Sequence, residues 1–105
     1  LINTSSGTNF YSAWYNCTSL TSFPANMFDT TGTLSATAFQ NTWFNCALTA
    51  QSIENILVSL DTNGQSNIEL TISGGTNAGQ STWTAAANTA YTNLINKGWT
   101  ITSNP

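Results

Sequence analysis

Cys17 and Cys46 are the only thiols in this 105-residue chain, and Asp29, Glu54, Asp61 and Glu69 are its only carboxylates. Lys97 is the single cation and there is no His. Two Cys without His fall short of the four ligands a structural zinc site needs. The pair therefore reads as small buried thiols facing a core. Stacking within about 5–6 Å between Cα atoms would instead allow a disulfide. A glycosidase needs only two carboxylates at a defined separation, but nothing groups these four. Asp29 and Asp61 open turns, Glu54 suits the first turn of a helix, and Glu69 points outward from a strand. Asp61-Thr62-Asn63-Gly64 matches part of a calcium loop, yet the bidentate Glu belongs six positions after the Gly, where Leu70 stands. The sequence implies no catalytic residue, no metal ligand and no cofactor, and the chain is expected not to be an enzyme.

Charge narrows the classes further. Only 5 % of residues are charged and the net charge is −3, against roughly 25 % charged in an ordinary domain. Without a basic patch nothing neutralises phosphates, so nucleic acid is excluded as a partner. No apolar run approaches the ~18 residues of a membrane span. Thr, Ser and Asn instead make up 45 of the 105 residues. Thr21, Ser22, Thr71, Ser73, Thr100 and Thr102 are expected on or beside strands, where stacked units would present rows of hydroxyls as a surface-binding face. Such rows can hydrogen-bond carbohydrate or ordered water, or carry O-linked glycans; they equally reflect the β-propensity of Thr. Asn3-Thr4-Ser5 and Asn16-Cys17-Thr18 match the N-glycosylation acceptor pattern at Asn3 and Asn16. Asn16 also belongs to a repeat and reads as a turn residue. Tyr11, Tyr15 and Phe44 are the aromatics nearest the surface, placed to stack on sugars or to pack under a neighbour.

The elements that must position these groups follow a repeat. Phe10, Trp14, Asn16 and Cys17 correspond to Phe39, Trp43, Asn45 and Cys46 at a constant offset of 29, with Tyr15 matching Phe44. Asp29-Thr30-Thr31-Gly32 echoes Asp61-Thr62-Asn63-Gly64 at an offset of 32. Periods of this size signal solenoids or arrays. The units fall at about 7–35, 36–66 and 67–105 in a single domain, with Phe10, Trp14, Cys17, Phe39, Trp43 and Cys46 as repeat core. Phe39, Trp43 and Cys46, at i, i+4 and i+7, predict one face of a helix, as do Phe10, Trp14 and Cys17. Thr49 caps a second predicted helix carrying Ile53, Ile56, Leu57 and Leu60. Ile68, Leu70 and Ile72 alternate as a strand. Ser81 or Thr82 opens a last helix over about 81–97, with Lys97 in its final turn and Gly98 as its stop. A strand at about 99–102 closes the chain. Strands separated by helices imply a parallel sheet of short strands with crossover helices.

The run Phe10-Tyr11-Ser12-Ala13-Trp14-Tyr15-Asn16-Cys17-Thr18-Ser19-Leu20-Thr21-Ser22-Phe23-Pro24, followed by Met27-Phe28-Asp29, resembles the BspA-type leucine-rich repeat. The second unit keeps Trp-Phe-Asn-Cys and departs after Leu48. Residues 47–102 are similar to the C-terminal ends of such arrays in bacterial surface proteins and tailed-phage or cyanophage virion proteins. The resemblance implies a short α/β leucine-rich-repeat-like solenoid and an extracellular, cell-surface or virion-surface location. Its implied role is adhesion, recognition or assembly, which fold-level likeness does not separate. Self-association or neighbouring subunits are the expected partners, with glycans or a protein receptor as the alternative. Leu1-Ile2-Asn3-Thr4 has neither Met nor a basic flank and is expected to be the interior of a longer chain rather than a signal peptide.

Overall fold

The structure is a computed structural model that describes residues 3–105. Leu1 and Ile2, which the sequence reads as mid-pattern, lie outside the described residues. Thr49 starts the first helix: extended at φ −70° and ψ 163°, it accepts the Ser52 N–H on its hydroxyl at 3.1 Å. Helix α1 (Ala50–Asn63) then buries Ile53, Ile56, Leu57 and Leu60 and ends at left-handed Gly64. Strand β1 (Glu69–Ile72) follows with alternating half-buried and buried residues. Helix α2 (Ala85–Asn96) is capped by the Thr84 hydroxyl, which accepts the Ala87 N–H at 3.1 Å. Strand β2 (Thr100–Ser103) pairs with β1 in parallel, Glu69 beside Thr100 and Thr71 beside Thr102. Among the described residues the architecture is therefore α/β, with two α-helices and a two-stranded parallel sheet.

Three expectations need correction. The last helix opens at Thr84 rather than at Ser81 or Thr82, because Gln80–Thr82 close a short 3-10 turn first. Lys97 is the C-cap residue of α2 rather than part of its last turn. The segments around Phe10–Cys17 and Phe39–Cys46 are not helices; they are successive turns. Ser12 and Asn16 are left-handed at φ 54° and 59°, and their counterparts Asn41 and Asn45 at 56° and 63°. A left-handed residue interrupts any right-handed helix. Asn is among the few side chains that adopt that region readily.

The backbone N–H groups of the first segment go sideways instead of up a helix. Those of Phe10, Ser12, Trp14 and Asn16 donate to the carbonyls of Ala38, Gln40, Thr42 and Phe44 at 2.8–3.1 Å. Ala13 and Tyr15 close turns onto Phe10 and Ser12, as Thr42 and Phe44 do onto Phe39 and Asn41. The rings of the two segments consequently face one another. Phe10 lies on Phe39 at 5.5 Å and 7°, Trp14 on Trp43 at 5.5 Å and 8°, and Tyr15 on Phe44 at 5.6 Å and 19°. Each pair adds about 0.5–1.5 kcal/mol beyond its buried area. Phe23 and Phe28 meet this stack edge-on and complete the core. Phe39, Trp43 and Cys46 are buried, and Phe10 and Trp14 pack partly buried against them. Cys17 is exposed, so it is not a core residue. Phe39 also bridges Leu70, which joins the turn segments to the edge of β1.

Residues 21–32 carry no regular structure, and their backbone is satisfied by one stripe of α1. Ser52 takes the Phe23 N–H and donates to the Thr21 carbonyl, while Asn55 donates to the Phe23 carbonyl. Ser59 takes the Phe28 N–H, and Asn63 donates to the Phe28 and Thr31 carbonyls. These side chains recur at i, i+3, i+7 and i+11, one line along a helix. Buried backbone groups must find partners, and here a polar stripe supplies them beside the apolar one.

Candidate functional site

A groove over the parallel strands

Strand alternation turns Leu70 and Ile72 into the core and Glu69 and Thr71 outward. The parallel register sets Thr100 and Thr102, both exposed, beside them. Ser73 follows β1 on the same side. Gln40, Asn41 and Phe44 from the second turn segment form the facing wall. Together these residues line an open groove of about 350 Å³ whose floor is Leu70. This volume lies at the lower end of the ~300–1,000 Å³ of small-molecule sites.

Four of the six hydroxyl residues expected on one face, Thr71, Ser73, Thr100 and Thr102, therefore meet here. Thr21 and Ser22 do not. They are exposed but lie on the irregular segment, where the Thr21 carbonyl accepts from Thr49 N–H and the Ser52 hydroxyl. Phe44 is among the aromatics expected near the surface, whereas nothing in the sequence marks Gln40 and Asn41 as lining. Their segment reads as a helix by spacing, and only the left-handed preference of Asn41 and Asn45 signals otherwise.

Of the carboxylates, Glu69 is the one in the groove. Asp29 accepts from the Ser59 hydroxyl at 2.6 Å. Asp61 lies inside α1 instead of opening a turn; it takes the Lys97 ammonium at 2.7 Å and the Asn93 amide at 2.9 Å. The calcium-loop reading loses its first ligand to that ion pair. Glu54 sits past the first turn of α1 and accepts from the Thr84 hydroxyl at 2.6 Å and Gln51 at 2.9 Å. The Thr84 bond, then the Gln51 bond, holds its carboxyl below the ordinary value. Among the described residues no three of His, Cys, Asp and Glu gather as a metal site.

Cys17 and Cys46 are both free thiols. Cys46 is buried and its Sγ lies 3.1 Å from the Trp14 carbonyl oxygen. Burial pushes its thiol above the ordinary value, outweighing the hydrogen bond from the Cys17 backbone. Both acceptor-pattern residues, Asn3 and Asn16, are exposed. The Asn3 side chain accepts the Ser5 N–H and the Asn16 side chain accepts from Asn45. Tyr11 and Tyr15 are 52 % and 47 % exposed, and Tyr15 stacks on the half-buried Phe44.

The fold and the groove thus define an α/β protein with paired aromatic turn segments and an open, hydroxyl- and amide-lined surface site. Comparison with protein-family models, curated proteins and solved structures finds no match to this chain. No helix among the described residues is long and apolar enough to cross a membrane.

Proposed function

We propose that this chain is a non-enzymatic structural or assembly module of an extracellular, cell or virion surface. It is built as a short leucine-rich-repeat-like solenoid of the BspA type that its Phe10–Pro24 motif resembles. The observation that carries the reading is the 29-residue ring-on-ring stacking of Phe10, Trp14 and Tyr15 on Phe39, Trp43 and Phe44. Units that bury their faces only against neighbours are the basis of repeat architectures. The same construction leaves β2 at the sheet edge, paired with β1 alone among the described residues. An unpaired edge is a template for another chain. Light scattering across a concentration series tests the reading. Concentration-dependent growth into larger species supports self-association, and a monomer of 11.2 kDa at every concentration overturns it.

The groove favours a second reading, a recognition module that binds glycans or a protein receptor through its Thr/Ser-rich face. Thr71, Ser73, Thr100 and Thr102 come from two strands and a following turn to one concave surface. That convergence supplies what a hydroxyl-rich surface alone lacks, namely a shape to fill. The two readings are compatible, since the β2 edge and the groove offer different contacts.

A further inference from the structure

We propose that the groove over β1 and β2 is a binding site for one neutral sugar ring, stacked against Phe44 and held by Glu69 and the surrounding hydroxyls and amides. This deepens the recognition reading and rests on it.

The site arises where an aromatic ladder stops. Tyr15 and Phe44 stack at 5.6 Å, 29 residues apart. The Asn16 N–H donates to the Phe44 carbonyl at 2.9 Å, and the Asn45 N–H donates to the Ser73 carbonyl at 3.0 Å. This repeated bond makes Ser73 the residue that follows Tyr15 and Phe44 in the ladder. A one-carbon hydroxyl side chain stands where the register would place a third ring. Gly74 lets the backbone after Ser73 approach Phe44 closely, since a Cβ there would come within 2.9 Å of Phe44 Cε1. The groove of about 350 Å³ lies at that step, with Phe44, Ser73 and Thr71 all on its lining.

The chemistry of the lining selects the occupant. A sugar ring has an apolar face that packs on an aromatic ring and an equatorial rim of hydroxyls. Phe44 supplies the first contact. Around it, Glu69 accepts two hydroxyl hydrogens, and Gln40 and Asn41 both donate and accept. Thr100 and Thr102 stand on the far side. The Glu69 carboxylate has no hydrogen-bond partner among the described residues, unlike the other three carboxylates. The neutral class follows from charge: among the described residues Glu69 is the only charged group lining the groove, and the one cationic side chain, Lys97, is held by Asp61. An anionic sugar would meet a carboxylate with no counter-charge. A single ring in an open groove binds weakly, with a Kd on the order of millimolar.

The test uses the full chain in two assays. The first is an amide NMR titration with neutral methyl pyranosides (glucoside, galactoside, N-acetylglucosaminide) and with glucuronate. Expected are saturable shifts confined to Thr71, Ser73, Thr100, Thr102 and the Gln40–Phe44 wall, from at least one neutral sugar. Binding weakens about tenfold in Phe44→Ala, which removes the stacking ring, and in Ser73→Tyr, which fills the step. Thr102→Ala and Glu69→Gln alter exposed or half-exposed side chains and serve as folded variants that must also weaken binding. Shifts elsewhere, undiminished binding in the folded variants, or equal response to glucuronate overturn the proposal. The second assay is an array of neutral glycans, acidic glycans and proteins, probed with wild type and Thr102→Ala. Differences confined to acidic glycans or proteins overturn the neutral-sugar assignment and leave recognition standing. Identical binding, or no binding, across all three classes overturns the recognition reading as well.

Discussion

The side-chain amide of Asn45 donates to the side-chain carbonyl oxygen of Asn16 at 3.0 Å, and both residues are left-handed, at φ 63° and 59°. Each also donates its backbone N–H across the stack, Asn16 to Phe44 and Asn45 to Ser73. One residue type thus turns the chain, bonds the neighbouring segment and aligns the ring pairs on either side. The turn and the stack are coupled, because a chain that left the left-handed region here would carry Tyr15 and Phe44 out of register.

Backbone conformation at Asn45 is therefore separable from its side-chain bond. Asn45→Gly keeps the left-handed region free of steric cost and loses one exposed hydrogen bond, a loss of about 0.5–1 kcal/mol. Asn45→Ala loses the same bond and adds about 1–2 kcal/mol of left-handed strain. Urea denaturation of both variants checks the order. Coincident midpoints would mean that the left-handed turn does not set the stability of this segment.

Trp43 gives a sharper contrast. Its ring is fully buried, stacked on both Trp14 and Phe39, yet its indole N–H is buried with no acceptor among the described residues. Trp43→Ala is expected to cost roughly 3–5 kcal/mol through the cavity it opens. Trp43→Phe keeps a stacking ring and removes a buried unpaired donor whose burial costs about 1–3 kcal/mol. Its loss should therefore be well under half that of the Ala variant. A thermal or urea midpoint unchanged in Trp43→Ala would refute the core assignment.

The outcome at Trp43 separates what the sequence carried from what it hid. The 29-residue register was legible because Trp and Cys are rare enough that their coincidence means something. The helix expected there was not, because turns closing every second residue reproduce the i, i+4, i+7 spacing of Phe39, Trp43 and Cys46. The start of α1 and strand β2 were legible to within a residue, since a Thr cap and alternation act locally, while the alternation that begins before Ile68 pairs as a strand only from Glu69. The start of α2 was missed because Ser81, Thr82 and Thr84 are all plausible caps, and only three-dimensional context gives the role to Thr84, which also reaches Glu54. The groove was half legible: alternation turned Glu69, Thr71, Thr100 and Thr102 outward. The wall of Gln40, Asn41 and Phe44 comes from a segment whose spacing is that of a helix and whose backbone is a run of turns. The polar stripe of Ser52, Asn55, Ser59 and Asn63 escaped notice because periodicity is usually sought in apolar residues.

The two thiols should differ in reactivity. Cys17 is exposed, whereas Cys46 is buried and its thiol is pushed up by that burial. Thiolate fraction and access together set the rate of alkylation. Iodoacetamide at pH 8 should label Cys17 in the folded chain, with Cys46 reacting only after denaturant is added, as read by mass spectrometry of peptides. Equal labelling rates under native conditions would contradict the burial of Cys46.

Acid should act on one contact above the rest. Glu54 joins the two helices by accepting the hydroxyl hydrogen of Thr84, the residue that caps α2 with the same oxygen. That bond and the one from Gln51 depress the carboxyl below its ordinary value of 4.5. A group whose folded pKa is depressed stabilises the fold fully above its unfolded pKa. The contribution is lost as pH falls through the folded value. Stability attributable to Glu54 is thus constant above about pH 4.5 and declines below it. Glu54→Gln removes the titration, so the variant should show a shallower loss of midpoint than the wild type as pH falls below about 4.5. Thr84→Ala should flatten the same limb and, in addition, lower stability at all pH values by about 1 kcal/mol through the lost cap. The pair separates the roles of the hydroxyl: a Thr84→Ala profile parallel to wild type in acid would mean that the Glu54 contact contributes nothing to folding. An offset of zero at neutral pH would mean that the cap does not.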